Sequence, residues 1–347
     1  MRCPVVSHRR STQPGLNRGA RATVLSAATA TAAATLGAAT AHAEPQDTPR
    51  SVKARIDRLY VEAERATEQY NRAAEGADRL RDEANRARDR AARGQEHLNR
   101  LRTSLGSLAT AQYRSGGLDP SVRLFLSSDP DTYLERAAAL NRLTERQAAG
   151  LREFRQTRRS LEQTRVEAAR ALAGLERNRE TAARHKRTVE RKLAQAKRLL
   201  GTLPGADRTD LANASRSGRE DMFAAAAGPP AGSARAAVAV MAVQQALGRP
   251  YVWGANGPDG FDCSGLMQWA YARAGVGLPR TSQAQRYAGH MVPLSQARPG
   301  DLVAYRADAS HIAMYVGNGR VVHAPYPGAP VRYDPVGMMP VSSVTRV

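Results

Sequence analysis

From Val52 to Gln112 the apolar positions recur in alternating steps of three and four: Ile56, Leu59, Ala63, Ala66, Tyr70, Ala73, Ala77, Leu80, Ala84, Ala87 and Ala91. After Gly94 the pattern resumes at Leu98, Leu101, Leu105 and Leu108. A seven-residue repeat sustained this long predicts a helix with a narrow apolar seam, as in a coiled coil. The positions between are Arg, Asp, Glu and Asn, which reads as the solvated faces of a rod. Gly116-Gly117 and two Asp-Pro pairs stop the pattern around an apolar plug, Leu124-Phe125-Leu126. A second register then holds Leu140, Phe154, Leu161, Ala168, Leu175, Ala182, Val189, Ala196 and Leu203. Its companion positions (Arg158, Arg165, Arg179, Lys186) are often basic. Two segments of similar length with a short break predict an antiparallel hairpin over residues 50–203, about 90 Å long from the rise of a helix.

The rest of the chain changes character twice. Residues 204–235 are rich in Gly, Pro, Ala and Ser without a period, which is linker composition. Residues 236–347 hold both tryptophans, Trp253 and Trp269, and most of the glycine turns. "AVAVMAVQQAL" reads as a helix, and a second helix begins at Cys263 and ends near Arg273. "DLVAYR", "HIAMYVG", "RVVHAP" and "VRYDPV" then read as short strands. Helices first and strands afterwards predict an α+β domain with helices packed on an antiparallel sheet.

Composition adds a compartment. Arg2, Arg9, Arg10, Arg18 and Arg21 precede a weakly apolar Ala/Thr run that ends at Ala41-His42-Ala43. That is the pattern of a secretory leader over residues 1–43, and no later stretch is apolar enough to span a membrane. The formal charge of +20 remains strongly positive without those five arginines. An exported basic chain meets anionic wall polymers or lipid headgroups. Nucleic acid is not expected, because no recognition motif accompanies the charge.

Leader removal takes Cys3 and leaves one thiol, Cys263. Asp262 is a good N-cap, so the thiol stands in the first turn of its helix, where the dipole favours thiolate. A nucleophilic thiol needs a base and a group to orient that base. His290 looks incidental, whereas His311 opens one strand and His323 closes the next. A two-residue turn at Asn318-Gly319 would put these two histidines on opposite faces, and a three-residue loop would put them on one. From these residues alone, Cys263 can be a buried inert thiol, half of an intermolecular bridge, a nucleophile, or a zinc ligand with His311 and His323, although the close ligand pair usual in zinc motifs is missing.

The stretch "RPYVWGANGPDGFDCSGLMQWAYARAGVGLPRTS", followed by "RPGDLVAY", "SHIAMYVGNGRVVHAP" and a terminal strand, closely resembles the NlpC family of cell-wall cysteine peptidases. The resemblance covers residues 236–347. It implies a papain-like fold and hydrolysis of peptidoglycan stem peptides, typically between D-γ-glutamate and a diamino acid, with no metal or organic cofactor. Carried over, Cys263 is the nucleophile, His311 the base and His323 the group orienting it. Tyr251 matches a tyrosine of the oxyanion region, and Asp262 and Ser264 match positions lining the substrate site. Arg280 is a candidate for a stem-peptide carboxylate or for a structural salt bridge. The family often reads Tyr-x-Trp-Gly-Gly where this chain has Ala255. More loosely, the hairpin resembles those of some secreted wall hydrolases, which can bind a membrane division complex or cover the catalytic cleft; a spacer or dimerisation element is the equal alternative. The alternatives in function are a non-catalytic wall-binding or hydrolase-activating protein and a related thiol amidase.

Overall fold

Two long helices dominate the chain: α1, Pro49–Arg114, and α3, Tyr133–Thr202, joined across a short helix α2, Pro120–Phe125. In this computed structural model the described residues are 48–114, 116, 120–126, 131–206 and 231–347, all within the unit Asp47–Val347. The leader expected over residues 1–43 and most of the expected linker lie outside them. α1 and α3 run antiparallel: Glu62 pairs with Lys192, Arg90 with Glu167 at 3.2 Å, and His97 with Glu153 at 2.9 Å. The seam is built from the apolar repeat. Ile56, Ala63, Ala77 and Ala87 are buried on α1, and Leu161, Leu175, Val189 and Ala196 on α3. Small residues allow close approach: a Cβ on Gly174 would stand 3.0 Å from Leu80 Cδ1. At the far end Tyr113, Phe125, Leu126 and Leu134 are exposed.

One part of the α1 surface departs from the solvated faces expected. Glu64, Thr67, Glu68 and Asn71 are buried. They form a stripe at helical spacing, and it is turned into protein.

The C-terminal half is an antiparallel sheet of six strands in the order β1-β6-β2-β3-β4-β5. These are β1 His290–Val292, β2 Leu302–Tyr305, β3 His311–Gly317, β4 Arg320–His323, β5 Arg332–Pro335 and β6 Val341–Arg346. Three helices accompany it: α4 Ala234–Gln245, α5 Cys263–Arg273 and α6 Ser282–Gln285. Strand alternation sorts the core. Leu302, Ile312, Met314 and Val322 pack with Ala239, Val243, Leu266, Met267 and Tyr271 of the helices. The intervening Val303, Tyr305, Ala313 and Val321 form a second cluster with Val344. His290 begins β1 and pairs with Arg346.

Candidate active site

Asp262 starts the site. Its side chain caps α5, accepting from Gly265 N at 2.7 Å, which fixes Cys263 as the first helical residue. A Cβ on Gly265 would meet Ala255 O at 2.2 Å, so this turn can pack against the preceding loop only without a side chain. Asp262 is fully buried and accepts from every side: Gly254 N at 3.0 Å, Asn71 Nδ2 at 3.0 Å and both terminal nitrogens of Arg280 at 2.6 and 3.0 Å. Arg280 thus stands in a salt bridge with Asp262. Arg280 also donates to Ser264 Oγ at 3.0 Å.

The two histidines meet although the β3–β4 turn has two residues. Asn318 and Gly319 both have positive φ, 53° and 69°, between paired Gly317 and Arg320, as in the mirror-image turn suited to hairpins. Parity is restored by a bulge between Tyr315 and Gly317, where Gly317 has φ 97°. The extra residue shifts the register by one and turns His311 and His323 to the same face. The odd step lies in the strand, and not in a three-residue loop. His311 Nε2 is 2.7 Å from His323 Nδ1, and His323 Nε2 is 2.7 Å from Asp334 Oδ2. Arg332 Nε donates to the same Asp334 oxygen at 2.9 Å.

This chain of contacts assigns protons. Burial lowers the His323 pKa to about 4, against the opposing pull of Asp334, so His323 carries one N–H at neutral pH. Asp334, held below the usual carboxylate range by His323 and Arg332 against its burial, is ionised and accepts it at Nε2. His323 Nδ1 must then accept from His311 Nε2–H, which leaves His311 Nδ1 as the nitrogen available to a thiol. Cys263 Sγ lies within 4.8 Å of a ring nitrogen of His311.

That nitrogen is taken. Glu64 of α1 places Oε1 on His311 Nδ1 and Oε2 at 2.5 Å from Arg306 Nη1. One turn on, Glu68 Oε1 accepts from Ser264 Oγ at 2.8 Å and from Cys263 Sγ at 3.8 Å, and Oε2 accepts from Ser282 N at 2.8 Å. With α1 in place Cys263 is 1% exposed and His311 0%. Burial, then Glu64, Glu68 and Asp262, push the thiol well above its ordinary range. The thiolate expected from the helix dipole is thus outweighed by desolvation and three carboxylates. Burial also raises Glu68 to about 8, with Asp262 adding to it. Burial works against the Glu64 charge as well, but His311 and Arg306 together hold its carboxyl below the usual range.

Glu64, Cys263 and His311 converge closely enough to suggest a metal. The Arg306 guanidinium on the same carboxylate instead places a positive charge where a cation would have to be tolerated.

Comparison with known proteins follows the same residues. The NlpC/P60 family profile matches 248–344. A probable endopeptidase of Corynebacterium glutamicum (strain R) is 39% identical over 154 residues, which span 42% of this chain and 72% of the relative. The chain belongs to the NlpC/P60 family. A probable endopeptidase of Mycobacterium tuberculosis (strain ATCC 25618 / H37Rv) is 47% identical over 106 residues, 30% of this chain. The match covers about a quarter, 27%, of that relative's length. The crystal structure of a P60 domain from M. avium subspecies paratuberculosis aligns with 32% of this chain and 93% of its own, at 35% identity and a TM-score of 0.31.

Within the α+β domain of this NlpC/P60 protein, Cys263, His311, His323, Asp262, Ser264 and Arg280 form one connected cluster. Tyr251 is buried, its pKa raised well above the usual range first by burial and then by Cys263, Asp262 and the two glutamates. Sequence reasoning missed Glu64, Glu68, Asn71, Ser282, Arg306 and Asp334. A signal existed for three of them, the polar stripe 64-68-71, but in a charged helix it is indistinguishable from a solvated face.

Proposed function

We propose that the chain is an exported cysteine endopeptidase of peptidoglycan stem peptides, acting at the D-γ-glutamyl–diamino acid bond and held latent by α1. The single observation that carries this is the arrangement Cys263, His311, His323, Asp334, with Glu64 inserted at the nitrogen the reaction needs.

With α1 withdrawn, His311 Nδ1 takes the Cys263 proton, and the thiolate attacks the amide carbonyl. The developing oxyanion is met by backbone N–H groups at the start of α5, where the helix dipole assists, and Tyr251 flanks it. His311, oriented through Nε2 by His323, returns the proton to the leaving amine, and water then hydrolyses the thioester. Ser264 Oγ and Ser282 N, now spent on the Glu68 carboxylate, fit a carboxylate on the acyl side of the substrate. Arg280 and Asp262 hold that wall of the cleft. No step calls on a metal or organic cofactor. The leader of residues 1–43 accounts for export, the basic charge for retention on anionic wall polymers. The exposed apolar tip of the hairpin is the natural handle for a membrane-bound division partner that lifts α1.

The test is digestion of purified peptidoglycan by the full chain, by Glu64→Ala/Glu68→Ala, and by that variant with Cys263→Ala, with fragments identified by mass spectrometry. The expected result is little release by the first, stem peptides cut after D-glutamate by the second, and none by the third. Fragments cut at the muramoyl–L-alanine amide would make the protein a thiol amidase. No release from the second, still folded, would favour the wall-binding or activating role.

A further inference from the structure

At the base of the hairpin, α1 and α3 alone line a groove of about 420 Å³. Arg55, Arg58 and Glu62 stand on one wall, Lys192 and Arg198 on the other. Glu62 is the one carboxylate lining it, and it is paired across the groove with Lys192. That leaves three guanidiniums, Arg55, Arg58 and Arg198, with no hydrogen-bond, ion-pair or ring partner among the described residues. The neighbouring acids are committed elsewhere. Asp57 borders the cavity on the other side of α1, with Tyr60 and Arg332, and Lys53 acts on its charge. Glu190 faces Lys186 at 4.0 Å, and Glu64 is buried on His311.

Like charges repel both along α1, where positions three apart are neighbours, and across the groove. Farther along, the same two helices match their charges, Arg90 with Glu167 and His97 with Glu153. A stretch that keeps three uncompensated guanidiniums breaks that local rule, and such breaks gather at functional sites.

Shape selects the ligand. The groove follows the helix axes, and Arg55 to Glu62 spans about 10 Å at the helical rise. Cations on both walls suit an anion that lies along the axis and offers oxygens to either side. A phosphodiester in the backbone of a linear polymer does so: its charge is in the chain itself, and its two non-bridging oxygens diverge, one toward Arg55 and Arg58, the other toward Arg198. Guanidinium forks match such oxygens, and Leu59 beneath them suits the carbon links between phosphates. A flat lipid surface meets the crests of two helices and not the groove between them. A carboxylate on a side branch reaches one wall.

We propose that this groove binds a linear phosphodiester polymer of the cell wall. The proposal rests on the export reading above, gives retention on the wall a definite place, and is independent of cleavage. With successive residues about 100° apart, Arg55, Arg58 and Glu62 point nearly opposite to Tyr60, Glu64 and Glu68. The polymer is therefore held while α1 still covers Cys263.

The experiment titrates the full chain with poly(glycerol phosphate) in a calorimeter. Arg55→Gln/Arg58→Gln/Arg198→Gln should weaken binding about tenfold or more. Arg142→Gln/Arg146→Gln/Arg152→Gln removes the same charge from exposed positions nearer the tip and should weaken it by no more than about twofold. Glu62→Gln should tighten it, a gain that misfolding cannot imitate, and Cys263→Ala should leave it unchanged. Equal losses in the two triple variants, or no gain with Glu62→Gln, overturns the groove as the site. Polyglutamate of equal charge and phosphatidylglycerol vesicles are the competing probes, and either one bound as tightly as the phosphodiester chain overturns the partner. Peptidoglycan digestion is read separately. Polymer binding by a protein that cuts nothing sinks the peptidase alone, and stem-peptide cleavage by a protein that ignores the polymer sinks the groove alone.

Discussion

At the scale of single residues, Asp334 has the sharpest consequence. It touches neither Cys263 nor His311 and acts by fixing which nitrogen of His323 carries the proton. Without it His323 can protonate at Nδ1, leaving His311 Nε2 without its acceptor. In the Glu64→Ala/Glu68→Ala background, Asp334→Ala should lower kcat about ten- to a hundredfold with KM little changed. Asp334→Asn, whose carbonyl still accepts, should recover much of the loss. Steady-state kinetics with imidazole ¹⁵N shifts would check this, and an unchanged His323 tautomer in Asp334→Ala would refute it. Nothing in "VRYDPV" advertises this role. The aspartate reaches His323 because β4 and β5 pair His323 with Arg332, and strand partnership is not written in a local motif. Cys263 and Asp262 were legible for the opposite reason: an N-cap and the residue after it are defined by immediate neighbours in sequence.

The elements show the same division. α5 is a local object, and its tolerance can be forecast from local space. Gly265→Ala would drive a methyl into Ala255 O and to 2.9 Å from Asp262 Oδ1. It should cost about 2 kcal/mol or more of stability and displace Cys263, read as a lower denaturation midpoint together with lost activity. The β3–β4 hairpin was half legible. The turn residues were visible, but the bulge that brings His311 and His323 together depends on where Gly317 leaves the ladder. α1 was legible as a helix through its apolar repeat, and its polar stripe was misread as solvated. The amphipathic pattern says which face is polar, and it does not say whether water or another domain meets that face.

For the whole molecule, two carboxylates from one helix predict a pH-dependent closure over the site. Glu68 ionises near 8 when covered and near the ordinary 4.5 when released, so the covered form binds the extra proton. Its contribution to closure is complete below the released value and is lost as pH rises through about 8, a change of roughly 5 kcal/mol. Glu64 has the opposite sense. Its lowered pKa favours closure above the ordinary carboxyl range and loses that effect as acid protonates it. The groups facing Glu68 are Asp262, Cys263 and Arg280 from the catalytic domain, with Glu64 on its own helix. Closure should therefore be firmest near pH 4.5 to 5. Activity of the full chain should climb more steeply toward pH 8 than that of Glu68→Gln, whose covering helix carries no titrating group at that place. Parallel profiles for the two proteins would dismiss the latch as a pH device.

The sequence alone determined what depends on neighbours and period: two long helices from a seven-residue repeat, an α+β domain, a capped cysteine at a helix start and two strand histidines. Tertiary structure decided everything that depends on distant segments coming together. Glu64 and Glu68 lie almost two hundred positions or more from their partners at Cys263 and His311, and only the docking of α1 makes them neighbours. That docking turns a thiol the helix dipole would activate into one that desolvation and three carboxylates keep protonated. The dipole is a local property of α5, whereas the dielectric and the charges around it belong to the assembled molecule.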